Sequence, residues 1–349
     1  MRILVTGANG FVGRQLCAEL LRQGHEVRAA IRSSAQLPEG VEAVVVGNID
    51  SDTVWADALQ GVDTVIHLAA RVHVMKDKAA DPFTEFLKVN LYGTSNLAQQ
   101  AASAGVKRLV YVSTIKVNGE STANSNPSDT LTPSPSPSKG EGNVVDEGRK
   151  NKVFTESDEP GPQDAYGISK WQAEQALQRI SKETKLEIVI VRPPLVYGPG
   201  VKGNFFSLLA AIDKGFPLPL AGARNLRSLV YVGNLVDALI ACAIHPSTAG
   251  QTYLVSDGED VSTATLVEKI SQALGRNNRS FYVSPGLLRA AATVLGRGDQ
   301  LDRLFGTLRV NDQKLRNELG WVPPYTLEQG LRATADWYRM QHNGYNRGP

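Results

Sequence analysis

Short apolar runs alternate, through the first part of the chain, with segments in which apolar side chains recur at helical spacing. The first run is Ile3-Leu4-Val5, and further runs occupy residues 26–31, 43–46, 64–68, 108–112 and 186–191. Segments with helical periodicity lie between these runs, at residues 11–21, 52–59, 81–104 and 165–180. Runs this short and this apolar are typical of strands in a parallel sheet that is covered on both faces. The alternation predicts a doubly wound α/β fold that binds ligands at the carboxyl ends of its strands.

The pattern becomes mixed beyond residue 193. Helical periodicity occurs at residues 205–214, 233–245, 263–274, 287–295 and 326–338, and short strands are predicted around Val230 and Tyr253. We expect a smaller mixed domain over residues 193–349 that closes a substrate cleft against a first domain over residues 1–192. The two domains are expected to be partly interleaved along the chain.

Residues 120–151 interrupt the pattern with a stretch that is rich in serine, proline and asparagine and has almost no apolar content. Such a stretch cannot bury enough surface to offset the entropy of ordering it, so we predict that it is disordered. It could cover the site as a lid, although an inert insertion is the favoured interpretation. On that interpretation, deletion of residues 121–150 should leave stability almost unchanged.

The composition of the 349 residues, 42% hydrophobic and 21% charged, is that of an ordinary soluble globular protein. A net charge of +2 gives no electrostatic reason to expect a nucleic-acid partner. Cys17 and Cys242 lie in apolar helical patterns, which favours core residues in a reducing cytoplasm over a disulfide. The first strand begins at the N-terminus and no apolar run approaches about twenty residues, so neither a signal peptide nor a membrane span is expected. The five histidines have no spacing typical of a metal site.

Three glycines, Gly7, Gly10 and Gly13, lie between the first apolar run and the first helical segment. A turn without Cβ atoms lets the backbone approach a pyrophosphate, and the N-terminus of the following helix offers free N–H groups and a positive dipole. A glycine-rich turn without a ligand is the alternative, but the order of strand, glycines and helix favours a nucleotide site. The motif therefore predicts a dinucleotide-binding domain of the Rossmann type.

A tyrosine and a lysine, Tyr166 and Lys170, are four residues apart on a predicted helix and so share one face of it. A cation beside a phenol favours the phenolate and is expected to lower a pKa that is normally about 10. Tyr166 could then act as a general acid or base, and Lys170 could also bind the ribose of a nicotinamide nucleotide. Thr114, at the end of a predicted strand, would hold a substrate oxygen beside Tyr166, with Ser113 as the alternative donor.

Together these motifs resemble those of the extended short-chain dehydrogenases/reductases, specifically the nucleotide-sugar epimerase/dehydratase branch that includes UDP-glucose 4-epimerase. Within that branch, the sequence looks closest to the UDP-4-keto-6-deoxy-N-acetylhexosamine 4-reductases. The resemblance runs nearly end to end and rests on residues 6–13, 67–70, Asn90, 112–114, 166–170, 192–199 and 227–232.

The resemblance implies roles for particular residues. Thr114, Tyr166 and Lys170 match the catalytic triad, and Arg227 matches the arginine that clamps the diphosphate of a sugar nucleotide. Ser113, Thr114, Asn204 and Arg227 are the implied substrate-binding set. The implied cofactor-binding set is Gly7, Asn9, Gly10, Phe11, Val12, Gly13, Arg32, Asn48, Ile49, Leu68, Ala69, Ala70, Asn90, Tyr166, Lys170 and Pro193. A homodimer formed through the helices that carry Asn90 and Tyr166 is also implied.

Departures from the family pattern narrow the expected reaction. Relatives that use NAD end the second strand on an acidic residue, where this chain has Ile31, followed by Arg32 and two serines. A cation and hydroxyls suit a 2′-phosphate, so NADP(H) is favoured over NAD(H), with an arginine stacked on adenine as the alternative. Relatives that dehydrate sugars place Asp-Glu after the triad threonine, whereas this chain has Ile115-Lys116, which makes a dehydratase unlikely. Leu195 replaces an asparagine that touches substrate in many relatives, so no contact is assigned to it.

The leading hypothesis is an NADPH-dependent reductase acting at C4 of a 4-keto UDP-hexose or UDP-N-acetylhexosamine, in surface-polysaccharide biosynthesis. The alternative is a UDP-glucose or UDP-N-acetylglucosamine 4-epimerase that retains NAD. A third interpretation, a regulator that senses NADP without turnover, is disfavoured by the presence of Tyr166 and Lys170.

Overall fold

Ten strands and ten α-helices build the protein in the computed structural model, which describes residues 1–72, 81–123, 152–284, 286–287 and 305–343. The strands are β1 (Arg2–Thr6), β2 (Glu26–Ile31), β3 (Glu42–Val45), β4 (Thr64–His67), β5 (Arg108–Val112), β6 (Glu187–Arg192), β7 (Leu195–Tyr197), β8 (Arg227–Tyr231), β9 (Thr252–Leu254) and β10 (Asp260–Val261). The helices are α1 (Phe11–Arg22), α2 (Ala56–Leu59), α3 (Pro82–Leu87), α4 (Thr94–Ser103), α5 (Ala165–Glu183), α6 (Gly203–Asp213), α7 (Val232–Ile244), α8 (Thr263–Leu274), α9 (Gln313–Leu319) and α10 (Leu327–Asn343).

Seven strands form one parallel sheet in the order β3-β2-β1-β4-β5-β6-β9. Both faces are covered, because Ile3 and Val5 pack into one apolar cluster while Leu4, between them, packs into a second cluster on the opposite face. This is why the strands are continuously apolar. The predicted doubly wound parallel sheet is confirmed.

The strand order reverses between β1 and β4, where the chain leaves one half of the sheet and begins the other. The chain segments that follow β1 and β4 lead away from this point in opposite directions along the sheet. They leave a crevice beyond the carboxyl ends of the two strands. The glycine turn after β1 and the segment after β4 border that crevice.

The segment predicted as one helix over residues 81–104 is divided in the structure. Asp81 caps α3 by accepting the backbone N–H groups of Phe83 and Thr84, and a π-helical turn over Lys88–Gly93 then leads into α4. A π-turn widens the helix by one residue and is frequent at functional sites. The π-turn over Lys88–Gly93 carries Asn90, which is buried. Residue spacing alone gave no sign of this turn.

The C-terminal part contributes to both sheets. Strands β10, β8 and β7 form a small mixed sheet, whereas β9 pairs with β6 at the edge of the large sheet, with Thr252 opposite Ile190. Sequence analysis had grouped the strand near Tyr253 with the smaller domain, and its return to the large sheet is a point where the two parts interleave. The division at residue 192 stays a prediction.

Several other boundaries differ from the predicted ones. The helix expected over residues 52–59 is only α2, and β7 and β10 were not predicted. The helix predicted at 287–295 falls, after its first residue, outside the described residues, as does most of the segment predicted to be disordered. Within the described parts of the chain, no helix combines the length and apolar character needed to cross a membrane.

The two ends of the insertion are anchored on one segment of the C-terminal part. Thr122 is buried and donates its N–H to the carbonyl of Thr307 at 2.8 Å. Phe154 is also buried and donates its N–H to the carbonyl of Arg309 at 2.9 Å. The expectation that residues 121–150 can be deleted with stability almost unchanged stays a prediction, and the structure gives a reason to expect a cost at its first boundary, because that deletion removes the anchored Thr122.

We predict that replacing residues 124–151 by a short Gly-Ser linker will leave the melting temperature within about 2 °C of the parent. Deleting residues 121–150 should instead lower it by about 3 °C or more, because buried backbone groups lose their partners. Thermal unfolding of both variants tests this. Equal losses would show that anchoring at Thr122 contributes nothing.

Candidate active site

The turn between β1 and α1 is built so that only glycine fits at two positions. Gly7 has a φ of +68°, and a Cβ there would lie 2.9 Å from the backbone nitrogen of Ala69. A Cβ on Gly13 would lie 2.2 Å from the carbonyl oxygen of Gly7, so the first turn of α1 rests directly on the loop. Gly10 donates its N–H to the same carbonyl at 2.9 Å. The glycines thus bring the start of α1 to the crevice between β1 and β4.

The N-terminus of α1 is left open for an anion. Gly10 occupies the cap position in an extended conformation and offers no side-chain cap, and the first turn contains no acidic residue. Phe11 and Val12 are half-buried, while Asn9 is exposed beside the loop. Free helix N–H groups with a positive dipole are suited to a pyrophosphate. The residues present therefore fit a dinucleotide.

Exposed polar groups gather beyond β2, which pairs with β1, and beyond the edge strand β3, which pairs with β2. Ile31 is buried, and Arg32 is exposed together with the two serines that follow it. Asn48 is exposed beyond the end of β3, and its carbonyl accepts a hydrogen bond from the hydroxyl of Thr53. Ile49 is half-buried against the π-turn, where a Cβ on Gly93 would lie 2.6 Å from its side chain. This edge offers a guanidinium and hydroxyls rather than a carboxylate directly after β2.

The end of β4 is tied to the glycine turn by hydrogen bonds. The side chain of Thr6 accepts the N–H of Ala69 at 3.1 Å and lies 2.6 Å from Nδ1 of His67. Nε2 of His67 is 2.9 Å from the hydroxyl of Thr94. Burial, with the charge of Lys170 as a second cause, lowers the His67 pKa to about 3, so its ring stays neutral and serves as a structural bridge. Beside this bridge, the predicted contacts Leu68, Ala69 and Ala70 are half-buried.

Asn90 uses its side-chain amide to join three segments. Its Oδ1 accepts the N–H of Arg71 at 2.8 Å, and its Nδ2 donates to the carbonyl of Arg71 and to the hydroxyl of Ser169, each at 2.9 Å. The amide thereby links the segment after β4 to the π-turn and to α5, next to Lys170 on the same helix. A direct role in cofactor binding stays a prediction.

Helix α5 carries Tyr166 and Lys170, and Asp164 caps it by accepting the N–H of Gly167 at 2.7 Å. Lys170 is 1% exposed, and its Nζ lies 4.0 Å from the ring centroid of Tyr111 on β5. Tyr166 is half-buried, with its ring 6.2 Å from that of Phe86. The two predicted catalytic side chains therefore lie on one helix face, at the end of β5.

The predicted lowering of the Tyr166 pKa is wrong in this structure. Desolvation of the phenol, followed by the charge of Asp164, raises the pKa of Tyr166 above its usual value near 10. Burial lowers the pKa of Lys170 to about 7, although the charge of Glu174 opposes this. The sequence argument considered only the Tyr–Lys pair, whereas removal from water acts on both groups and favours their neutral forms.

Thr114 and Ser113 follow β5 and present hydroxyls near α5. The Thr114 Oγ1 accepts the N–H of Lys116 at 3.3 Å, so its own proton can be donated to a substrate oxygen. The Ser113 hydroxyl is buried and has no hydrogen-bond partner among the described residues. A buried polar atom in this position is suited to a ligand contact. Pro193, which follows β6, is buried, and its carbonyl accepts the N–H of Ile115 at 3.0 Å.

The remaining predicted substrate residues lie on the C-terminal part. Arg227 begins β8, is half-buried, and donates from Nη1 to the carbonyl of Gly306 at 3.3 Å. Burial lowers its pKa, while the charge of Glu120 acts in the opposite direction. Asn204 is exposed in the first turn of α6. Leu195 is exposed on β7, which pairs with β8 and so lies in the same small sheet as Arg227.

Sequence analysis missed four side chains of this site: Tyr111, Lys116, Glu120 and Asp164. Asp164 could have been recognised from an acidic residue placed directly before a helix, which is a common N-cap. Tyr111 lies within an apolar strand, where the sequence pattern does not distinguish its ring from an ordinary core side chain. Lys116 and Glu120 are brought to the site only by the fold.

The crevice, the glycine turn and the Tyr–Lys pair define a dinucleotide-binding enzyme of the short-chain dehydrogenase/reductase class. Residues 3–140 and 142–256 match the sequence model of the NAD dependent epimerase/dehydratase family, and the chain belongs to that family.

Named relatives show the same relationship over almost their whole length. The chain is 40% identical over 343 residues to a UDP-glucose 4-epimerase of Vibrio cholerae, covering 98% of this chain and 96% of the relative. It is 25% identical to the N-acetyl-α-D-glucosaminyl-diphospho-ditrans,octacis-undecaprenol 4-epimerase of Escherichia coli O157:H7, covering 96% and 94%. Among solved structures, MoeE5 in complex with UDP-glucose and NAD superposes with a TM-score of 0.73 at 25% identity, covering 98% of this chain and 100% of that one.

The lowered pKa of Lys170 predicts how stability depends on pH. Between about 7 and its ordinary 10.5, Lys170 binds a proton in the unfolded chain but not in the folded protein, so its contribution to stability rises with pH across that window. Lys170→Met removes the cost of burying an amine. It should raise the melting temperature by about 3 °C or more at pH 6, and by less at pH 9.

Thermal unfolding at the two pH values tests this prediction. Lys182→Met, at the exposed end of the same helix, is the matched control and should respond equally at both. A lower melting temperature for Lys170→Met at pH 6 would contradict it.

Proposed function

We propose that this protein is an NADPH-dependent reductase acting at C4 of a 4-keto UDP-hexose or UDP-N-acetylhexosamine, in surface-polysaccharide biosynthesis. The substrate class is supported by the Vibrio cholerae relative, a UDP-glucose 4-epimerase, and by MoeE5, whose structure holds UDP-glucose. These two relatives support a UDP-linked hexose as the substrate class.

The observation that carries the reductase proposal is the polar edge after β2. Ile31 is buried, and the exposed Arg32 follows it with two serines, at the position where relatives that use NAD present a carboxylate. A planar guanidinium can bind a phosphate through two hydrogen bonds, and the absence of an acidic side chain there removes the usual partner for ribose hydroxyls. NADPH is the form that a cell uses for reduction, and it leaves the enzyme after each turnover.

The side chains around the C4 position suit proton donation. A nicotinamide cofactor would supply the hydride when it is held by the glycine turn and the N-terminus of α1. Tyr166 keeps its proton at neutral pH because its pKa is raised, so it can protonate the oxygen that gains charge at C4. Thr114 donates a hydrogen bond to the same oxygen. Lys170, with a pKa of about 7, can return a proton to Tyr166, and Arg227 holds the diphosphate.

Water elimination is not part of this proposal. A sugar dehydratase needs an acid and a base directly after the triad threonine, and this chain has Ile115 and Lys116 there. Ile115 is buried, and the ammonium of Lys116 is held by Glu120 at 2.8 Å and by Asp164 at 2.5 Å.

A 4-epimerase that retains NAD is the second candidate. It is favoured by the 40% identity to a UDP-glucose 4-epimerase and by solved relatives that hold NAD, such as the UDP-glucose 4-epimerase of Thermus thermophilus. An epimerase must first remove a proton from the C4 hydroxyl, so Tyr166 would have to begin as a base. The exposed Arg32 after β2, in place of a carboxylate, is the observation that favours the reductase over this candidate.

We also propose a homodimer in the cytoplasm, paired through the helices that carry Asn90 and Tyr166. Phe83 on α3 and Tyr92 on the π-turn are 38% and 50% exposed. Both rings would be buried further in such a dimer.

The nucleotide that accompanies the purified protein separates the two candidates. We expect little bound NAD, and turnover of UDP-4-keto-6-deoxy-N-acetylglucosamine with NADPH well ahead of NADH. Mass spectrometry of the released nucleotide and a coupled absorbance assay measure both. Stoichiometric NAD together with interconversion of UDP-glucose and UDP-galactose would establish the epimerase instead.

Arg32→Ala should weaken NADPH binding about tenfold or more and NADH binding by less than about threefold, because only NADPH loses a charged phosphate contact. Arg22→Ala, an exposed arginine on α1 that pairs with Glu19, is the matched control and should change neither. Equal losses for the two nucleotides would refute the 2′-phosphate assignment.

A further inference from the structure

The short turn after Thr114 packs directly on the start of α5. Residues Ile115–Val117 form a single 3-10 turn that Thr114 caps, and the N–H of Gly161 donates to the carbonyl of Val117 at 2.9 Å. A Cβ on Gly167 would lie 3.2 Å from the carbonyl oxygen of Lys116. Glycine at this position lets the turn and the helix come this close.

Lys116 contacts both halves of the catalytic apparatus through different atoms. Its backbone N–H donates to the hydroxyl of Thr114, and its carbonyl oxygen faces Gly167, the residue after Tyr166. Its ammonium donates to Asp164 Oδ2 at 2.5 Å, while Asp164 Oδ1 caps α5 through Gly167. The residue that carries the Thr114 hydroxyl and the helix that carries Tyr166 are thus joined at one side chain.

Glu120 completes the cluster. It accepts from the Lys116 ammonium at 2.8 Å, and its charge also acts on Arg227. All three ionic side chains are only partly exposed, at 29% for Lys116, 26% for Glu120 and 31% for Asp164. Ion pairs that are shielded to this degree are less screened than surface pairs and can fix geometry.

We propose that Lys116 is a positioning residue: its ion pair with the cap Asp164 holds Tyr166 at a fixed distance from Thr114 and neutralises the charge of the Asp164 carboxylate. This inference rests on the proposed function for its catalytic consequence, although the placement of Tyr166 can be measured without turnover. Lys116 stands where sugar dehydratases have the glutamate of their Asp-Glu pair, so a position that those enzymes use for water elimination organises proton donation at C4 in this chain.

The charge of Asp164 raises the pKa of Tyr166. Without the ammonium of Lys116 beside it, the Asp164 carboxylate would raise that pKa further. Other charged or titratable groups near this cluster act from several elements. They are Lys116 and Glu120 from the segment after β5, Asp164, Lys170 and Glu174 from α5 and its cap, Tyr111 from β5, Arg71 from the segment after β4, and Arg227 from β8. Lys116 forms an ion pair with the cap Asp164.

The test places 3,5-difluorotyrosine at position 166, where its more acidic phenol brings the titration into a measurable range. The ¹⁹F resonance is followed against pH in the protein without added ligand. Lys116→Met should move the midpoint upward by about half a pH unit or more, because a cation is lost beside the carboxylate. Asp164→Asn, which keeps a capping side chain, should move it downward. Lys116→Arg should restore the parent value.

Lys152→Met is the matched control, because Lys152 also pairs with an aspartate, Asp158, but is not part of the cluster. Its midpoint should equal that of the parent. A Lys116→Met midpoint that also equals the parent would overturn the proposal, as would failure of Lys116→Arg to restore it. If Lys116→Met does not fold, Asp164→Asn decides the question. A midpoint for Asp164→Asn that equals or exceeds that of the parent would then overturn the proposal.

Turnover gives an independent readout of the catalytic consequence. With the 4-keto sugar nucleotide, Lys116→Met should lower kcat about tenfold or more and change KM by less than about threefold, since positioning rather than binding is lost. If the parent protein does not reduce the sugar, the proposed function fails while the ¹⁹F titration still tests Lys116. If the parent is active and Lys116→Met matches Lys152→Met in kcat, the positioning role is refuted.

Discussion

The contact of α1 with the glycine turn is the constraint on which the site depends. A Cβ on Gly13 would overlap the carbonyl of Gly7, so the helix can approach the turn this closely only because Gly13 has no side chain, and a Cβ on Gly7 would meet the backbone of Ala69 after β4. The approach places the open N-terminus of α1 at the point where the strand order reverses. The Thr6 hydroxyl accepts the N–H of Ala69 and is hydrogen-bonded to His67, and these contacts fix the end of β4 against the same turn. The cofactor position follows from these contacts.

The catalytic helix is held by buried charges, which are costly to bury unless they are paired. Arg192, at the end of β6, binds Glu174 of α5 through two hydrogen bonds and donates a third to Asn118. Glu174 is fully buried and also favours the charged form of Lys170. At the other end of α5, Asp164 pairs with Lys116. The helix is therefore fixed at its cap and along its buried face, while Lys170 between them is buried at an energetic cost, which is consistent with the catalytic role proposed for it.

The family relationship and the site agree on the class of reaction. They differ in the nucleotide cofactor that each suggests. MoeE5 binds UDP-glucose and NAD, and the family is named for NAD. In this chain β2 ends at Ile31, and the residue that follows it is Arg32 rather than an acid. The proposed preference for NADPH rests on these two positions, which lie at a strand end and in a loop, where side chains can change without disturbing the core.

The sequence by itself determined the parts that depend on local order: the parallel sheet, the glycine turn, and a tyrosine and a lysine on one helix face. These follow from periodicity and from steric limits that act over a few residues. The π-turn at Asn90, the return of β9 to the large sheet, and the anchoring of Thr122 on Thr307 were decided by tertiary structure. Tertiary structure also decided the raised pKa of Tyr166 and brought Lys116, Glu120 and Asp164 together. Desolvation and charge pairing depend on which distant segments surround a side chain, and residue spacing along the chain does not contain that information.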